Sequence, residues 1–447
     1  MSGMSCSLCV TGNWCTIIDV VKQAAGVPGS TREDRVYNFI SCTIDSVGWP
    51  VGMIFFSLTT IIPLYMRRLG AGDFAIGCVP ALVNLLMFLT GTLVVRHLTG
   101  RKRARGFLIW VAMAERLALL PLAILTCFWW KTHPDWLIVT VFVCFMAYGL
   151  SAGFNQPAYW IVVAKVIPPH WRGRMFGYAG GIGGILCLVV ERVLKHLLSG
   201  PGGGMPMGYT EMFIIGFVIL MVSVMPLGFV REPPSQEAPA DKPALFRDFQ
   251  RLWRTDHEFR IYLFSQMAMF ASTLAAPFYV LAAVHRLHAG PAMVAGYAAA
   301  LGFSSMFGVL VLGWWSDRSG NKIVLLFAAV LAIGSPLGAM LATSPVQFYP
   351  VLVAMSLSAS GLGLAGSNIV MEFAMENHHI ALYSSFYNAL SAIPRSLAPL
   401  IGGAIAYCTA GYVAGFALSS VLALIGLILT VRIQDPRRRV RTVKLTT

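Results

Sequence analysis

The stretch Gly313-Trp-Trp-Ser-Asp317-Arg318-Ser-Gly320-Asn-Lys322 lies between two long apolar segments, and a worn copy occurs earlier as Arg96-His97-Leu98-Thr99-Gly100-Arg101-Lys102. Gly100 and Gly320 stand 220 residues apart, as do Lys102 and Lys322. A short basic loop broken by glycine, at matching places in two halves of a hydrophobic chain, implies a duplicated membrane bundle. Bundles of this kind move small molecules through the seam between their halves. A second pair of landmarks has similar spacing: Arg68-Leu-Gly-Ala71-Gly72 answers Arg286-Leu-His-Ala289-Gly290.

Composition agrees. Of 447 residues, 57% are hydrophobic and only 12% are charged, about half the charge of a typical soluble domain. The apolar runs reach roughly 20 residues, enough to cross a hydrocarbon core about 30 Å thick. Backbone groups in lipid must bond internally, and no alternating ten-residue pattern supports a barrel, so the fold class is an all-α membrane protein.

Twelve transmembrane helices are expected, near 36–66, 72–96, 104–128, 135–165, 173–197, 210–230, 259–285, 290–315, 322–343, 346–372, 380–407 and 409–432. They divide into two pseudo-symmetric six-helix bundles at 36–230 and 259–432. Residues 1–35 form a cytoplasmic N-terminal segment and 433–447 a basic cytoplasmic tail. The linker 231–258 starts rich in proline and charge, then becomes amphipathic over Leu245 to Arg254, which suits either a helix on an anionic leaflet or an ordinary connector.

The net charge of +14 raises the question of nucleic acid, and its placement excludes that partner. With both termini cytoplasmic, 25 of the 33 lysines and arginines fall on the cytoplasmic side, five fall opposite and three lie inside spans. That asymmetry is the positive-inside pattern, so the charge records topology. Six of the nine cysteines are single residues within apolar segments, and Cys6, Cys9 and Cys15 lack a second pair to complete a metal site. Neither metal nor cofactor is expected. No phosphate-binding Gly-x-x-x-x-Gly-Lys-Ser/Thr loop is present to support a pump.

The loop from Gly313 to Lys322 resembles the signature of the major facilitator superfamily: a Gly, an Asp-Arg pair, a second Gly and a basic residue. Ile167-Pro-Pro-His-Trp-Arg172-Gly173-Arg174 is similar to the family's approach to its fifth span, and Ala398-Pro399-Leu-Ile-Gly402-Gly403 to its small-residue eleventh span. The Asn/Gln-Pro…Trp…Pro…Arg-Gly pattern of the fourth and fifth spans resembles that of bacterial permeases in the superfamily. The resemblance implies a secondary transporter working by alternating access, located in the bacterial inner membrane. It implies a monomer whose partners are a small-molecule substrate, the lipid bilayer and, where coupling operates, protons. Two departures stand out: His97 replaces the first loop's usual Asp, and the glycine-rich fifth span lacks the Gly-Pro step of many exporters. The alternatives are a transporter-like sensor and, behind it, an integral-membrane enzyme, for which His378 and His379 with Glu372 or Glu376 are the only cluster.

Ionisable groups inside spans are costly and therefore functional candidates. Asp45 lies ~12 Å deep in the first span, sharing a face with Asn38 and Trp49, and Trp49-Pro50 offers a kink. The resemblance makes Asp45 a proton-coupling or substrate group; a pair with Arg116 is the plainer reading. Glu115 and Arg116 point ~100° apart on one helix and read as a structural network. Glu191 and Arg192 are candidates for a gate on the outer side or for helix-end anchoring. Arg395, ~22 Å along the eleventh span, needs an anion, either Asp45 or an anionic substrate. Asn155, Gln156, Tyr159 and Trp160 in the fourth span, with Gln266 in the seventh, offer hydrogen bonds to substrate or between helices. Glu372, Glu376 and His379 share a face that suits either a divalent ion or pairing with Arg318 and Lys322. The resemblance makes Gly313, Asp317, Arg318, Gly320, Lys322, Arg172, Arg174, Glu372 and Glu376 a cytoplasmic gate, with Asp317 meeting the positive start of the fifth span.

Overall fold

The computed structural model describes residues 31–98, 104–200, 205–233, 246–376 and 380–434, almost all of them helical. Ten helical stretches are long and apolar enough to cross a membrane. The other two expected spans are present as helices but are less apolar: the first as Arg32–Ile54 and Ile61–Arg68, the fifth as Pro169–Leu198. Asn38 and Asp45 interrupt the first; Arg172, Arg174, Glu191 and Arg192 interrupt the fifth. A crossing helix with that much polarity is tolerated where it faces protein or a cavity.

The remaining spans are Asp73–Leu98, Arg105–Leu117 with Leu120–Trp129, Pro134–Val166, Met207–Val224 with a 3-10 extension to Phe229, and then the second half. There they run His257–Ala271 through a 3-10 turn to Tyr279–Leu287, then Pro291–Ser319, Asn321–Leu341, Phe348–Glu376, Ile380–Thr409 and Val413–Arg432. The kink expected at Pro50 is displaced. The helix runs through Pro50 and opens only after Ile54, and the seventh span opens at the matching place, Ser272–Phe278.

Packing repeats with the sequence. In the first half, spans one and six, two and four, three and four, three and six, and one and five pack together. Adding six to each number gives the pairs of the second half. Between the halves, the second span packs on the eleventh and the fifth on the eighth, each contact the image of the other.

The loop between the eighth and ninth spans owes its shape to Gly320. Its φ of 96° and ψ of 152° are strained for any L side chain, and they let the ninth span start at Asn321 directly after the eighth ends at Ser319. The corresponding loop residues Thr99 to Lys102 lie outside the described residues, as do Cys6, Cys9 and Cys15 and residues 234–245 of the linker.

Several basic residues at this end of the molecule close helix carbonyls. Arg105 donates to the Val230 carbonyl (2.9 Å), Arg172 to those of Ala164 (2.8 Å) and Ile167 (3.1 Å), and Lys322 to those of Val431 (3.1 Å) and Ile433 (2.6 Å). A cation there satisfies orphan acceptors and opposes the negative helix end. Lys322 is therefore a brace inside the second bundle. The amphipathic helix Phe246–Thr255 also folds inward: Leu252 is buried, and the Trp253 ring packs against Phe264 and Phe386. Its buried apolar side chains face protein, which favours the connector reading over a helix lying on lipid.

Candidate functional site

The hydrophobic core is organised differently at the two ends. We call the end carrying the basic loops the basic face. Toward the opposite face one continuous core joins both bundles, running from Phe55 and Tyr65 through Phe213 to Phe278, Tyr297 and Phe416. Toward the basic face there are two separate cores, one around Leu108, Val162 and Trp171, the other around Phe259, Leu325 and Tyr387. The bundles are joined at one end and parted at the other.

Close backbone contact seals the joined end. A methyl group on Gly403 would lie 2.8 Å from the Asp73 carbonyl oxygen and 3.3 Å from the Gly77 Cα. Arg67 pairs with Asp73 within the first half, and the Tyr412 hydroxyl of the second half bonds both, at 3.1 Å from Arg67 and 3.2 Å from Asp73. Phe278 stacks on Tyr412. Glu191 is partly buried and Arg192 exposed, and neither makes an ion pair among the described residues.

At the parted end, Asp317, Arg174 and Gly173 are exposed, and Asp317 has no ion pair among the described residues. Arg318 lies over the Trp314 ring at 4.0 Å. Glu372 accepts from Asn321 Nδ2 (2.7 Å), and Asn321 Oδ1 accepts from Ser316 and from Asn368 (3.1 Å). Gly313 packs loosely, its nearest neighbour being Leu364. The Glu376 side chain and His379 lie outside the described residues.

Just beneath the seal, a cavity of about 230 Å³ lies between the first and eighth spans. Trp49, Pro50 and Ser57 line one wall; Gly302, Ser305 and Met306 line the other. Trp49 connects it to a buried polar cluster, its indole N–H donating to Glu115 at 2.8 Å. Asn155 donates to the other Glu115 oxygen. Arg116, 1% exposed, bonds Asp45 at 2.7 Å and the carbonyls of Ala112 and Leu220 at 3.0 Å each, and lies 3.8 Å from Glu115. Ser223 donates to Asp45 at 3.3 Å. Two carboxyls thus share one guanidinium, out of water.

Of the residues expected on the first-span face, Asp45 and Trp49 join this cluster. Asn38 is instead occupied with the Arg231 backbone, at 2.9 and 2.8 Å. Tyr159 bonds the Ser46 hydroxyl at 2.7 Å, and Gln156 is exposed. Glu115, read from the sequence as part of a structural network, is also held by Trp49, which lines the cavity. In the second half, Gln266 is fully buried, and neither amide atom has a hydrogen-bond partner. Arg395 makes no ion pair with Asp45, which Arg116 holds; its guanidinium lies 3.8 Å from the Phe270 ring centroid.

The family model of the Major Facilitator Superfamily matches residues 36–190, 197–399 and 261–446. The chain belongs to that superfamily of membrane transporters. No curated protein matches it by sequence. Among solved structures it is similar to the nucleoside transporter NupG (TM-score 0.63, 12% identity, covering 90% of this chain and 98% of that one). It is also similar to a bacterial homologue of the human lysosomal transporter Spinster in an inward-facing, unoccupied conformation (0.62, 15%, 91% and 99%). A third is a D-xylose–proton symporter (0.61, 14%, 90% and 98%). At these identities the likeness is one of fold.

Proposed function

We propose that the chain is a proton-coupled secondary transporter of a small solute, here with its basic face open to the cytoplasm and its outer face shut. The observation that carries this reading is the single core joining the bundles at one end against two separate cores at the other. Rocking the bundles about the central seam exchanges the open and shut ends, which is alternating access. The positive-inside pattern places both termini and the basic face in the cytoplasm, and the bacterial inner membrane is the matching location. The protein works as a monomer, each copy holding a complete pair of bundles, and as a transporter it carries out no chemical conversion.

The cluster around Arg116 is the proton site. With both Asp45 and Glu115 ionised it carries one excess negative charge out of water; a single bound proton neutralises it, a large gain in low dielectric. Glu115 is the member joined to the cavity, because Trp49 holds it with one edge and lines the cavity with its ring. Solute that moves Trp49 therefore changes the hydrogen bonding of the carboxyl that carries the proton. Asp45→Asn or Glu115→Gln leaves one acid against one cation, with no excess charge to neutralise. In proteoliposomes, each variant is expected to keep solute exchange and to lose accumulation driven by a pH gradient. The tracers are sugars, amino acids or carboxylates that stabilise the purified protein. Gradient-driven accumulation intact in both variants overturns the assignment.

The inner gate follows from the same motion. When the basic faces close, Asp317 approaches the start of the fifth span, where the charges of Arg174 and Arg172 add to the positive helix end. Such a contact is worth about 1 kcal/mol, or roughly fivefold in the balance of states. Asp317→Asn is expected to slow cycling by that factor and to increase cytoplasmic accessibility of the seam to thiol reagents. Unchanged kinetics with unchanged accessibility count against it. Glu191 and Arg192 contribute to closure at the outer end only through the fifth span's position against the eighth, since the direct latch there is Arg67, Asp73 and Tyr412.

A further inference from the structure

Two stripes of side chains face one another inside the second bundle. Tyr262, Gln266 and Phe270 recur every four residues on the seventh span, so they share one face, and Tyr387, Ser391 and Arg395 do the same on the eleventh. Both helices start at the basic face, and the stripes meet rung by rung. At one end the Tyr262 and Tyr387 rings stack at 6.1 Å; at the other Arg395 lies 3.8 Å over Phe270.

The ladder holds more polar capacity than it uses. Among the described residues, both amide atoms of Gln266 are buried without a hydrogen-bond partner, and the Tyr387 and Ser391 hydroxyls have no polar neighbour beyond the ladder itself, Tyr387 lying against Tyr262, Ser391 and Arg395. Tyr262 is the exception, donating to the Gly366 carbonyl at 2.5 Å. Buried polar groups are normally satisfied, so a fully buried amide with neither atom partnered calls for a ligand. Arg395 adds a charge with no carboxylate within ion-pair distance among the described residues. A guanidinium inside a membrane protein calls for an anion, and its planar fork fits a carboxylate.

Position ties the ladder to the moving seam. Pro399 has no N–H to bond the Arg395 carbonyl four residues earlier. Asn84 of the second span supplies the missing donor across the bundle interface, at 3.0 Å. Whatever binds Arg395 therefore acts on a helix that the other bundle holds at that same residue.

We propose that this ladder binds a hydroxylated monocarboxylate: the carboxylate on Arg395, the hydroxyls on Gln266, Ser391 and Tyr387. One unpaired cation balances one negative charge, which favours a monocarboxylate over a phosphate dianion. The proposal names the substrate class for the transport reading above and rests on that reading for its role in the cycle.

Binding is measured on the full-length protein in nanodiscs, without flux, so that the two readings fail separately. Gluconate and lactate are the probes; glucose supplies the hydroxyls without the charge, and inorganic phosphate the charge without the carboxylate. At least one carboxylate is expected to raise the melting temperature saturably, glucose and phosphate not. Arg395→Gln weakens that binding at least about tenfold, the scale of a hydrogen bond to a charged group. It leaves the melting temperature of the ligand-free protein no lower, which a merely structural arginine would not do. Gly366→Ala is the steric arm: its methyl would lie 3.0 Å from Gln266 Oε1 and 3.2 Å from the Tyr387 hydroxyl, so it weakens binding with the charge intact. The proposal is overturned if neither carboxylate binds, if glucose or phosphate binds as well as the carboxylates, or if Arg395→Gln keeps affinity within twofold. Carboxylate binding without transport of the carboxylate upholds the site and contradicts the transport reading.

Discussion

Leucine at Gly403 is expected to hold the outer face open and to stop transport. In the conformation described here, even the first added carbon lies 2.8 Å from the Asp73 carbonyl and 3.1 Å from the Phe74 Cα, and these are backbone atoms that cannot turn aside. The facing Gly77 is equally constrained, with the Pro399 carbonyl and Gly403 directly against it. Overpacking of this kind costs about 1–3 kcal/mol in a core. Here the cost falls on one state alone, because opening the outer face separates the second and eleventh spans. The balance of states should therefore move roughly 5- to 150-fold toward outer-open. Thiol reagents applied from outside would then label Cys78 faster than in the wild type, while tracer flux falls in proportion. Gly403→Ala gives a smaller shift in the same direction. Labelling that is unchanged in a folded, inactive Gly403→Leu protein would show that the two glycines do not form the seal.

Loss of Arg116 should be the most damaging single change to stability. Its guanidinium is nearly inaccessible and makes four contacts, to Asp45, Glu115 and the carbonyls of Ala112 and Leu220. Arg116→Met leaves two buried carboxyls without their cation. Removing one partner of a buried ionic group costs about 3–5 kcal/mol, which lowers the melting temperature by on the order of 10 °C. Combining Arg116→Met with Asp45→Asn and Glu115→Gln removes the orphaned charges and should recover most of the loss, without restoring response to a pH gradient. If the triple variant melts as low as the single one, packing and not charge is what Arg116 supplies.

The fold was legible because its determinants are local. Gly320 must be glycine to turn the eighth span into the ninth, the basic residues cluster at one face, and the repeat is visible at its loops. Charge pairing also offered Arg116, 71 residues away, as a partner for the buried acid Asp45. Local spacing failed for Glu115: neighbours on a helix diverge by ~100°, so nothing in the sequence showed that Trp49 of another span would link it to the cavity wall. The latch of Arg67, Asp73 and Tyr412 escaped for the same reason, its parts being 345 and 339 residues apart. Lys322 and Asn38 were misleading in the opposite way. Their positions suit a gate and a cavity face, but unpaired helix-end carbonyls and the Arg231 backbone claim them first. The second-bundle ladder was in view as three residues at four-residue spacing on each of two spans. Tyr, Ser and Phe at that spacing are ordinary core residues, however, until two such faces are seen to meet around the unpaired Gln266 amide.

The central claim is that the two bundles rock about the seam, trading an outer seal for an inner one. Spin labels at exposed Lys131 and Thr343 report the outer separation, and labels at exposed His170 and Ser319 the inner one. Pulsed dipolar distances on reconstituted protein, before and after lowering the pH and adding transported solute, should change in opposite senses, the outer pair lengthening as the inner pair shortens. Two distances that stay fixed while tracer flux proceeds would contradict the account.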